Sequence, residues 1–341
     1  MRPYNIELFD RSYGYRSSCQ VSDIQTQEDY LSMESNSMDF SEIKAEIDDY
    51  ITITNSGFKL TGIVYSAEPQ DEKTRVIFKP TLSILDIDVL CDTSTLSNVS
   101  LEAWVADLIA ENYLTSSDSA QNISGLEITV LSSTSGVISL DSNIANMMDI
   151  VTSLFLTYGI TIDAMVNPGE KKLEVKIENK NLEAIAIEAD LPNIIKKKVK
   201  ILKANESINK LTVINQDNTT QRIIYYKNKA GGISTTNADR IIPVVPKTVF
   251  ASGDDFSATA YEKAVTTLTS EELNNLIEIT TISGDTLVNP EKLYIGQSVR
   301  VITKEMSYYS ILTGRKVEAG KTTLIFGAIR NQLTKKIRKR G

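Results

Sequence analysis

The C-terminal stretch from Tyr294 to Lys336 most constrains the fold, because it has the pattern of three consecutive β-strands. Apolar and β-branched residues alternate within three short segments, Ser298–Lys304, Met306–Arg315 and Thr322–Phe326. Glycines separate these segments, as they do in a meander or a barrel. The stretch therefore predicts an antiparallel β unit at this end of the chain.

A second region rich in strand patterns lies near the other end, at Tyr50–Cys91. Between the two, apolar residues at helical spacing predict helices at 100–113 and 142–158, followed by a hairpin. Ser100 is the predicted cap of the first helix, and Gly159 is the predicted end of the second. The sequence thus predicts an α+β fold with two β-barrel-like domains at the chain ends and an α/β middle region. The predicted divisions are 1–95 for the first β-barrel-like domain, 96–204 for the middle, 205–333 for the second β-barrel-like domain and 334–341 for a basic tail.

The charge of the chain is unevenly distributed. The 341 residues are 41% hydrophobic and 23% charged, which is typical of a globular protein. The formal net charge is −8, yet the last twelve residues carry six cations and no acid, so residues 1–329 carry −14. Such an acidic body disfavours general nucleic-acid binding.

The chain has two cysteines, Cys19 and Cys91, whose spacing matches no metal or redox motif. We predict that both are free, mostly buried thiols in a chain that folds in a reducing cytoplasm. No stretch has the apolar core of a secretory signal or the length of a membrane span. The sequence therefore predicts a soluble protein, or one that reaches its destination without a standard export route.

The chain has no histidine. This excludes the commonest general base, the Ser–His–Asp and Cys–His arrangements, and most zinc sites. The pairs Asp48–Asp49 and Asp254–Asp255 fit turns or helix caps better than paired catalytic carboxylates. We therefore predict no enzyme activity and no catalytic, cofactor-binding or metal-binding residues. A glycan-acting enzyme that uses two of the 44 acidic residues is the third alternative.

The order of the patterned segments resembles a known family. A β unit ends in Lys79–Asp86, a helix follows at Leu101–Tyr113, a second helix and hairpin cover Asn143–Ile177, and a second β unit ends in Leu324–Lys339. This order resembles the baseplate hub protein of tailed bacteriophages, the N-terminal hub region of the tail-associated lysins. It is also similar to the hubs of contractile tails and of type VI secretion spikes. The resemblance covers nearly the whole chain.

The resemblance implies a structural function. It implies a homotrimer with two β-barrel-like domains per chain, forming a pseudo-sixfold ring that joins the tail tube to the tip. The implied partners are other copies of the chain, distal tail or tail-tube ring proteins, the tape-measure protein, and DNA that passes through the lumen without being bound. The implied location is the tail of the virion, assembled in the host cytoplasm. The peptidase activity of longer lysins is not carried over, because those peptidases use histidine. A surface adhesin-type β-rich binding protein is the alternative.

The basic C-terminal tail is the one candidate site that the sequence offers. Its five cations are candidates for contact with an acidic partner: Lys335, Lys336, Arg338, Lys339 and Arg340. A solvated chain end is the alternative reading of the same residues. If the tail does make an electrostatic contact, deleting Thr334–Gly341 should weaken association with neighbouring tail proteins, most strongly at low salt.

Overall fold

The structure is a computed structural model, and it describes residues 3–30, 35–41, 43–55, 58–91, 96–138, 144–179, 185–201, 208–228, 232–252, 255–268, 275–290, 293–304 and 306–327. Within these residues the chain is mostly β, with 24 strands and three α-helices. The strands form a six-stranded sheet, a seven-stranded sheet, a four-stranded sheet, a three-stranded sheet and two short ribbons.

The N-terminal region forms the six-stranded sheet. The seven strands of this region are β1 (Tyr4–Phe9), β2 (Tyr15–Val21), β3 (Thr26–Asp29), β4 (Asn36–Ser41), β5 (Tyr50–Asn55), β6 (Phe58–Gln70) and β7 (Lys73–Pro80). All of them except β3 belong to one antiparallel sheet in the order β2-β1-β5-β6-β7-β4. Apolar residues that alternate along its strands, such as Ile6, Leu8, Val76 and Phe78, are buried and form one hydrophobic core.

The middle region packs two helices against a small sheet. After a 3-10 segment at Thr81–Leu85, its elements are β8 (Asp88–Leu90), β9 (Leu96–Ser100), α1 (Leu101–Tyr113), β10 (Leu126–Val130), β11 (Ser135–Ile138), β12 (Ile144–Asn146), α2 (Met147–Tyr158), β13 (Ile160–Asn167) and β14 (Lys172–Asn179). Strands β10, β14 and β13 form the three-stranded sheet in that order, with β13 at its edge. Strands β9 and β11, and β8 and β12, form the two ribbons.

Helix α1 begins, and helix α2 both begins and ends, at a residue with capping chemistry. The Ser100 hydroxyl accepts a hydrogen bond from the backbone N–H of Ala103 at 3.3 Å, which fixes the start of α1 as predicted. Helix α2 ends at Gly159, whose φ of 71° is the left-handed conformation that favours glycine. The prediction that α2 starts at residue 142 is wrong. It starts after Asn146, whose side chain caps it, because residues 144–146 pair with β8.

The C-terminal region forms the seven-stranded sheet and carries an inserted α/β unit. Its elements are β15 (Ile185–Glu188), β16 (Lys196–Ile201), β17 (Lys210–Asn215), β18 (Arg222–Lys227), β19 (Ile233–Ser234), β20 (Pro246–Ala251), α3 (Phe256–Leu268), β21 (Asn275–Ile282), β22 (Ser298–Ile302), β23 (Ser307–Glu318) and β24 (Lys321–Gly327). The large sheet has the order β15-β22-β23-β24-β21-β16, and β3 also pairs with β23. Strands β17 to β20 and helix α3 form a separate unit with its own core.

The prediction that the fold is rich in β-strands is confirmed. The sheets, however, cross the predicted divisions: β15 and β16 lie in the predicted middle region but belong to the large C-terminal sheet, and β3 joins that sheet from the N-terminal region. Local patterns could not indicate this, because strand partners far apart in sequence leave no local signal. The division into domains, the barrel-like closure and the α/β character of the middle region stay predictions.

Candidate partner-binding cleft

The N-terminal and C-terminal regions interlock through strand β3. Residues 26–29 pair antiparallel with residues 314–317 of β23, and the backbone N–H of Tyr30 donates to the carbonyl of Thr313 at 2.7 Å. The side chain of Val317, from β23, is buried in the core of the N-terminal sheet. Arg315 and Glu28 form an ion pair across the same junction. This junction holds the two large sheets together and forms one wall of a cleft.

The cleft has a volume of about 620 Å³ and lies where the three regions meet. Leu60, Thr61 and Leu82 line it from the N-terminal sheet and the 3-10 segment, and strands β13 and β14 line it from the middle region. Residues 28–30, 293–295 and 315 complete it from the C-terminal side. A concave site at a junction between structural units is a common place for a binding partner.

One wall of the cleft is the edge of strand β13 that faces away from β14. The backbone N–H of Val166 in this strand donates to the Thr61 hydroxyl at 3.3 Å, and therefore points away from β14. Backbone groups alternate in direction along a strand, so those of Ile162 and Ala164 point the same way. Both residues line the cleft. Part of this edge already has partners, because the Val166 N–H binds the Thr61 hydroxyl and the Ile162 backbone lies beside the Tyr30 hydroxyl.

The buried Tyr30 hydroxyl lies at this cleft beside the Ile162 backbone, and the described residues offer no acceptor for its proton. Tyr30 lines the cleft and is only 5% exposed, and its ring packs against Phe155 at a centroid distance of 4.4 Å. Burial, together with the nearby Asp163 carboxylate, raises the pKa of Tyr30 well above its usual range, so the hydroxyl keeps its proton. A buried donor without an acceptor is costly, so this group favours a partner that brings one.

The cleft has an excess of negative charge. Five acidic side chains and three basic side chains line it: Glu28, Asp29, Asp163, Glu174, Glu178, Lys59, Lys176 and Arg315. Glu174 accepts a hydrogen bond from the Asn167 amide at 3.0 Å, and this bond, with the neighbouring Lys176, lowers the pKa of the Glu174 carboxyl. The cleft therefore stays negatively charged at neutral pH and favours a cationic partner.

The residues singled out for other chemistry lie apart from the cleft. Asp49 is buried, accepts a hydrogen bond from the Glu46 backbone and lies 2.8 Å from Arg16, and Asp255 caps helix α3. Asp49 and Asp255 thus have the structural positions that the sequence favoured for them, whereas Asp254 lies outside the described residues. The described part of the chain contains no group of three or more acidic or cysteine side chains placed to bind a metal. No helix in it is long and apolar enough to span a membrane.

The five predicted tail cations, Lys335, Lys336, Arg338, Lys339 and Arg340, lie outside the described residues, so their role stays a prediction. No local pattern in the sequence indicated the cleft. Glu28 and Tyr30 come from a polar segment with weak strand patterning, and only long-range pairing with β23 brings them to it. The run of strand residues at 160–166 was the one available signal, but it does not show that this strand would lie at an edge.

Comparisons with known proteins show which solved structures have a similar fold. No family model matches the sequence, and no curated protein matches it significantly. Among solved structures, the chain is similar to a tail protein from Neisseria meningitidis, with 13% identity, a TM-score of 0.59 and coverage of 95% of this chain and 96% of that one. A 43 kDa tail protein of prophage MuSo2 from Shewanella oneidensis has 14% identity, a TM-score of 0.58 and coverage of 96% and 98%. The fold is that of phage tail proteins.

A third tail protein supports the same conclusion. The prophage tail protein gp18 from Listeria monocytogenes has 9% identity with this chain, a TM-score of 0.56 and coverage of 98% of both chains. In each comparison nearly all of both chains is matched, so the similarity extends over the whole phage tail fold and is not confined to one sheet. The predicted resemblance to phage tail proteins is therefore confirmed at the level of the fold.

Proposed function

We propose that this chain is a structural component of a phage tail tip or baseplate, a hub that joins the tail tube to the tip. The observation that carries the proposal is the similarity over 95% of this chain and 96% of a phage tail protein. The interlock between the two large sheets also supports it. A hub must hold its neighbours at fixed angles, and pairing of β3 with β23 connects the sheets through backbone hydrogen bonds.

The proposed assembly is a homotrimeric ring with pseudo-sixfold symmetry. Two large β units per chain, closed into barrel-like domains at the two ends, would give six similar positions in a trimer, which matches a sixfold tail tube. A head-to-tail interface between copies must close into a ring to avoid an open filament. The charge of −14 on residues 1–329 supports a lumen that DNA passes without binding, because an acidic wall repels phosphate.

The proposed partners are other copies of the chain, the distal tail or tail-tube ring proteins, and the tape-measure protein. The proposed location is the virion tail, after assembly in the host cytoplasm. The proposed role is structural and not enzymatic. Incubation of the purified chain with peptidoglycan should give no turnover above a buffer control, and turnover that depends on the protein concentration would contradict this part of the proposal.

Mass measurement in solution and electron microscopy test the assembly. Light scattering across a concentration series should show a species of three times the 37.8 kDa chain mass, alone or after addition of the tail-tube protein. Images of that species should show a ring with a central hole wide enough for duplex DNA. A chain that stays monomeric in assembled particles would remove the hub proposal. A trimer without a hole would remove the proposed passage of DNA.

A further inference from the structure

We propose that the cleft binds the inserted α/β unit of a second copy of this chain, through the sheet face opposite helix α3. The inference rests on the proposed ring assembly and names the two surfaces that meet in it. A head-to-tail contact between copies needs two different surfaces that fit each other. The chain offers such a pair, a basic sheet face with an apolar centre and the acidic cleft.

The sheet of strands β17 to β20 has two different faces. Helix α3 packs on one of them, where Leu211, Val213 and Tyr225 are buried together with Ala260 and Ala264. Side chains alternate along a strand, so the residues between these lie on the opposite face. That opposite face, called the basic face below, carries six residues of strands β17, β18 and β20: Lys210, Ile214, Arg222, Ile224, Tyr226 and Phe250.

The centre of the basic face is apolar. Ile214, Ile224 and Phe250 lie on three adjacent strands, and the Phe250 side chain on the edge strand β20 is 58% exposed. A sheet face that stays in contact with water normally carries polar residues in alternation with the core residues. A group of exposed apolar residues in that position indicates a surface that binds another protein.

The basic face also carries positive charge. Lys210 and Arg240 each lie 5.9 Å from the centroid of the Tyr226 ring, which places both cations on this face beside Arg222. None of these three cations forms an ion pair with an acid of the described residues. Residues 208–251 carry six cations and two acids, a charge of +4, in a chain whose residues 1–329 carry −14. The complement of the basic face is therefore an acidic surface.

The cleft has the complementary properties. Five acids and three bases line it, and apolar residues such as Leu82, Met165 and Tyr294 lie among them. Met165 and Tyr294 are 37% and 62% exposed, so contact with the basic face removes apolar surface of both copies from water. The concave cleft fits the exposed Phe250 ring, and an added protein surface can also supply an acceptor for the Tyr30 hydroxyl.

A second copy fits the basic face better than a nucleic acid does. The centre of the face is mainly aliphatic, and the Tyr226 ring already lies beside two cations, so little aromatic surface is open for stacking with bases. Within one chain the two surfaces stay apart, since Phe250 is exposed. Each further copy supplies one basic face and one cleft, and repetition of this contact gives a closed ring when the rotation between copies permits it.

Charge reversal tests the contact. The face variant carries Lys210→Glu and Arg222→Glu, and the cleft variant carries Asp163→Lys and Glu178→Lys. Light scattering over a concentration series measures association, under the condition in which the natural chain associates. Each variant should associate about tenfold more weakly than the natural chain, because like charges then face each other. Both variants in one chain restore opposite charges and should restore association.

The matched control makes the same change of charge on another strand. Lys196→Glu with Lys200→Glu reverses two exposed cations of the edge strand β16 and should leave association unchanged. Thermal unfolding of every variant shows whether it is folded. An equal loss of association in the control, or no recovery in the combined variant when it is folded, would overturn the proposed contact.

Cross-linking locates the contact without any substitution. Carbodiimide coupling of a mixture of isotope-labelled and unlabelled natural chains should join Lys210 or Lys247 to Asp163 or Glu178, and the linked pairs should include one labelled and one unlabelled chain. Links of these residues within single chains only would contradict the proposal. This measurement decides the question even where a variant fails to fold.

The failure of this inference differs from the failure of the proposed function. Association that the face, cleft and control variants all retain would put the interface between copies elsewhere, and would overturn this inference while the proposed ring stands. A natural chain that stays monomeric in assembled particles would remove the ring, and this contact with it.

Discussion

Arg315 and Glu28 lie 287 residues apart in the chain and form an ion pair in which both Arg315 Nη2 and Nε lie within 2.7 Å of Glu28 Oε2. The two side chains are only 10% and 19% exposed, and the guanidinium also lies over the Phe58 ring at 5.3 Å from its centroid. The pair thus joins three strands, β3, β6 and β23, at one buried point. Loss of either partner leaves a charge with little access to water.

We predict that Arg315→Met or Glu28→Gln alone lowers the free energy of unfolding by about 3 kcal/mol, because each leaves the other polar group buried without its partner. The double substitution should cost clearly less than the sum of the two. Urea unfolding of the four proteins measures this.

The exposed pair of Arg75 and Asp39 is the matched control, since its side chains are 44% and 40% exposed. Substitution there should change the free energy of unfolding far less, because water and salt screen an exposed pair. Additive effects at Arg315 and Glu28 would contradict the account of a coupled junction.

Glu102 in the first turn of α1 gives a prediction about pH. It is fully buried and accepts hydrogen bonds from the Thr134 N–H at 2.6 Å, the Thr134 hydroxyl at 2.7 Å and the Ser132 hydroxyl at 2.8 Å. Burial alone would raise its pKa, but the Thr134 and Ser132 bonds outweigh burial and hold the pKa of Glu102 below its ordinary value. Glu102→Gln should therefore lower the unfolding free energy at pH 7 by about 2 kcal/mol.

The sign of the pH effect follows from the lowered pKa of Glu102. The carboxylate contributes its full stability above the ordinary glutamate pKa of about 4.3, and loses it as pH falls through the lower pKa of the folded state. The difference between the natural chain and Glu102→Gln should therefore shrink as the pH of urea unfolding is lowered from 7 towards 3. Glu127→Gln, at a half-exposed acid, is the control. A difference that stays constant over this range would count against the assignment.

Two glycines with the same backbone conformation form a matched pair. Gly296 has φ +89° and Gly284 has φ +80°, but a Cβ at Gly296 would lie 2.7 Å from Thr161 Cγ2, whereas one at Gly284 meets nothing within 4 Å. Gly284→Ala should cost about 1 kcal/mol from backbone strain alone, and Gly296→Ala about 2 to 3 kcal/mol because of the added overlap. Thermal unfolding compares them. Equal costs would mean that Thr161 moves aside freely.

Both cysteines should be reduced and should react slowly. Cys19 is half-buried and Cys91 is buried, and burial raises the pKa of each thiol. At pH 8 we expect alkylation of Cys19 to be slower than that of a small free thiol, and alkylation of Cys91 to be slower still, with both rates rising with pH. Peptide mapping after timed alkylation measures the two rates. A faster reaction at Cys91 than at Cys19 would contradict the exposure of the two side chains.

The sequence predicted those features of the fold that depend on neighbouring residues. The cap at Ser100, the glycine end of α2 at Gly159 and the hairpin of β13 and β14 follow from local chemistry, and the structure has all three. Strand β3 could not be predicted from neighbouring residues, because Thr26–Asp29 is polar and is extended only where it pairs with β23. The same is true of the cleft, because its residues come from all three regions and no periodicity relates them.

The position of Val317 has a consequence for synthesis of the chain. The N-terminal sheet leaves the ribosome first, yet its core includes this side chain from β23, and its neighbouring strand β3 waits for the same late segment. The sheet therefore cannot complete its packing during translation of most of the chain, and an unpaired strand remains exposed throughout that time. Contacts so distant in sequence form slowly and leave intermediates prone to aggregation. We therefore expect the chain to be most prone to aggregation between the synthesis of its third strand and that of its twenty-third.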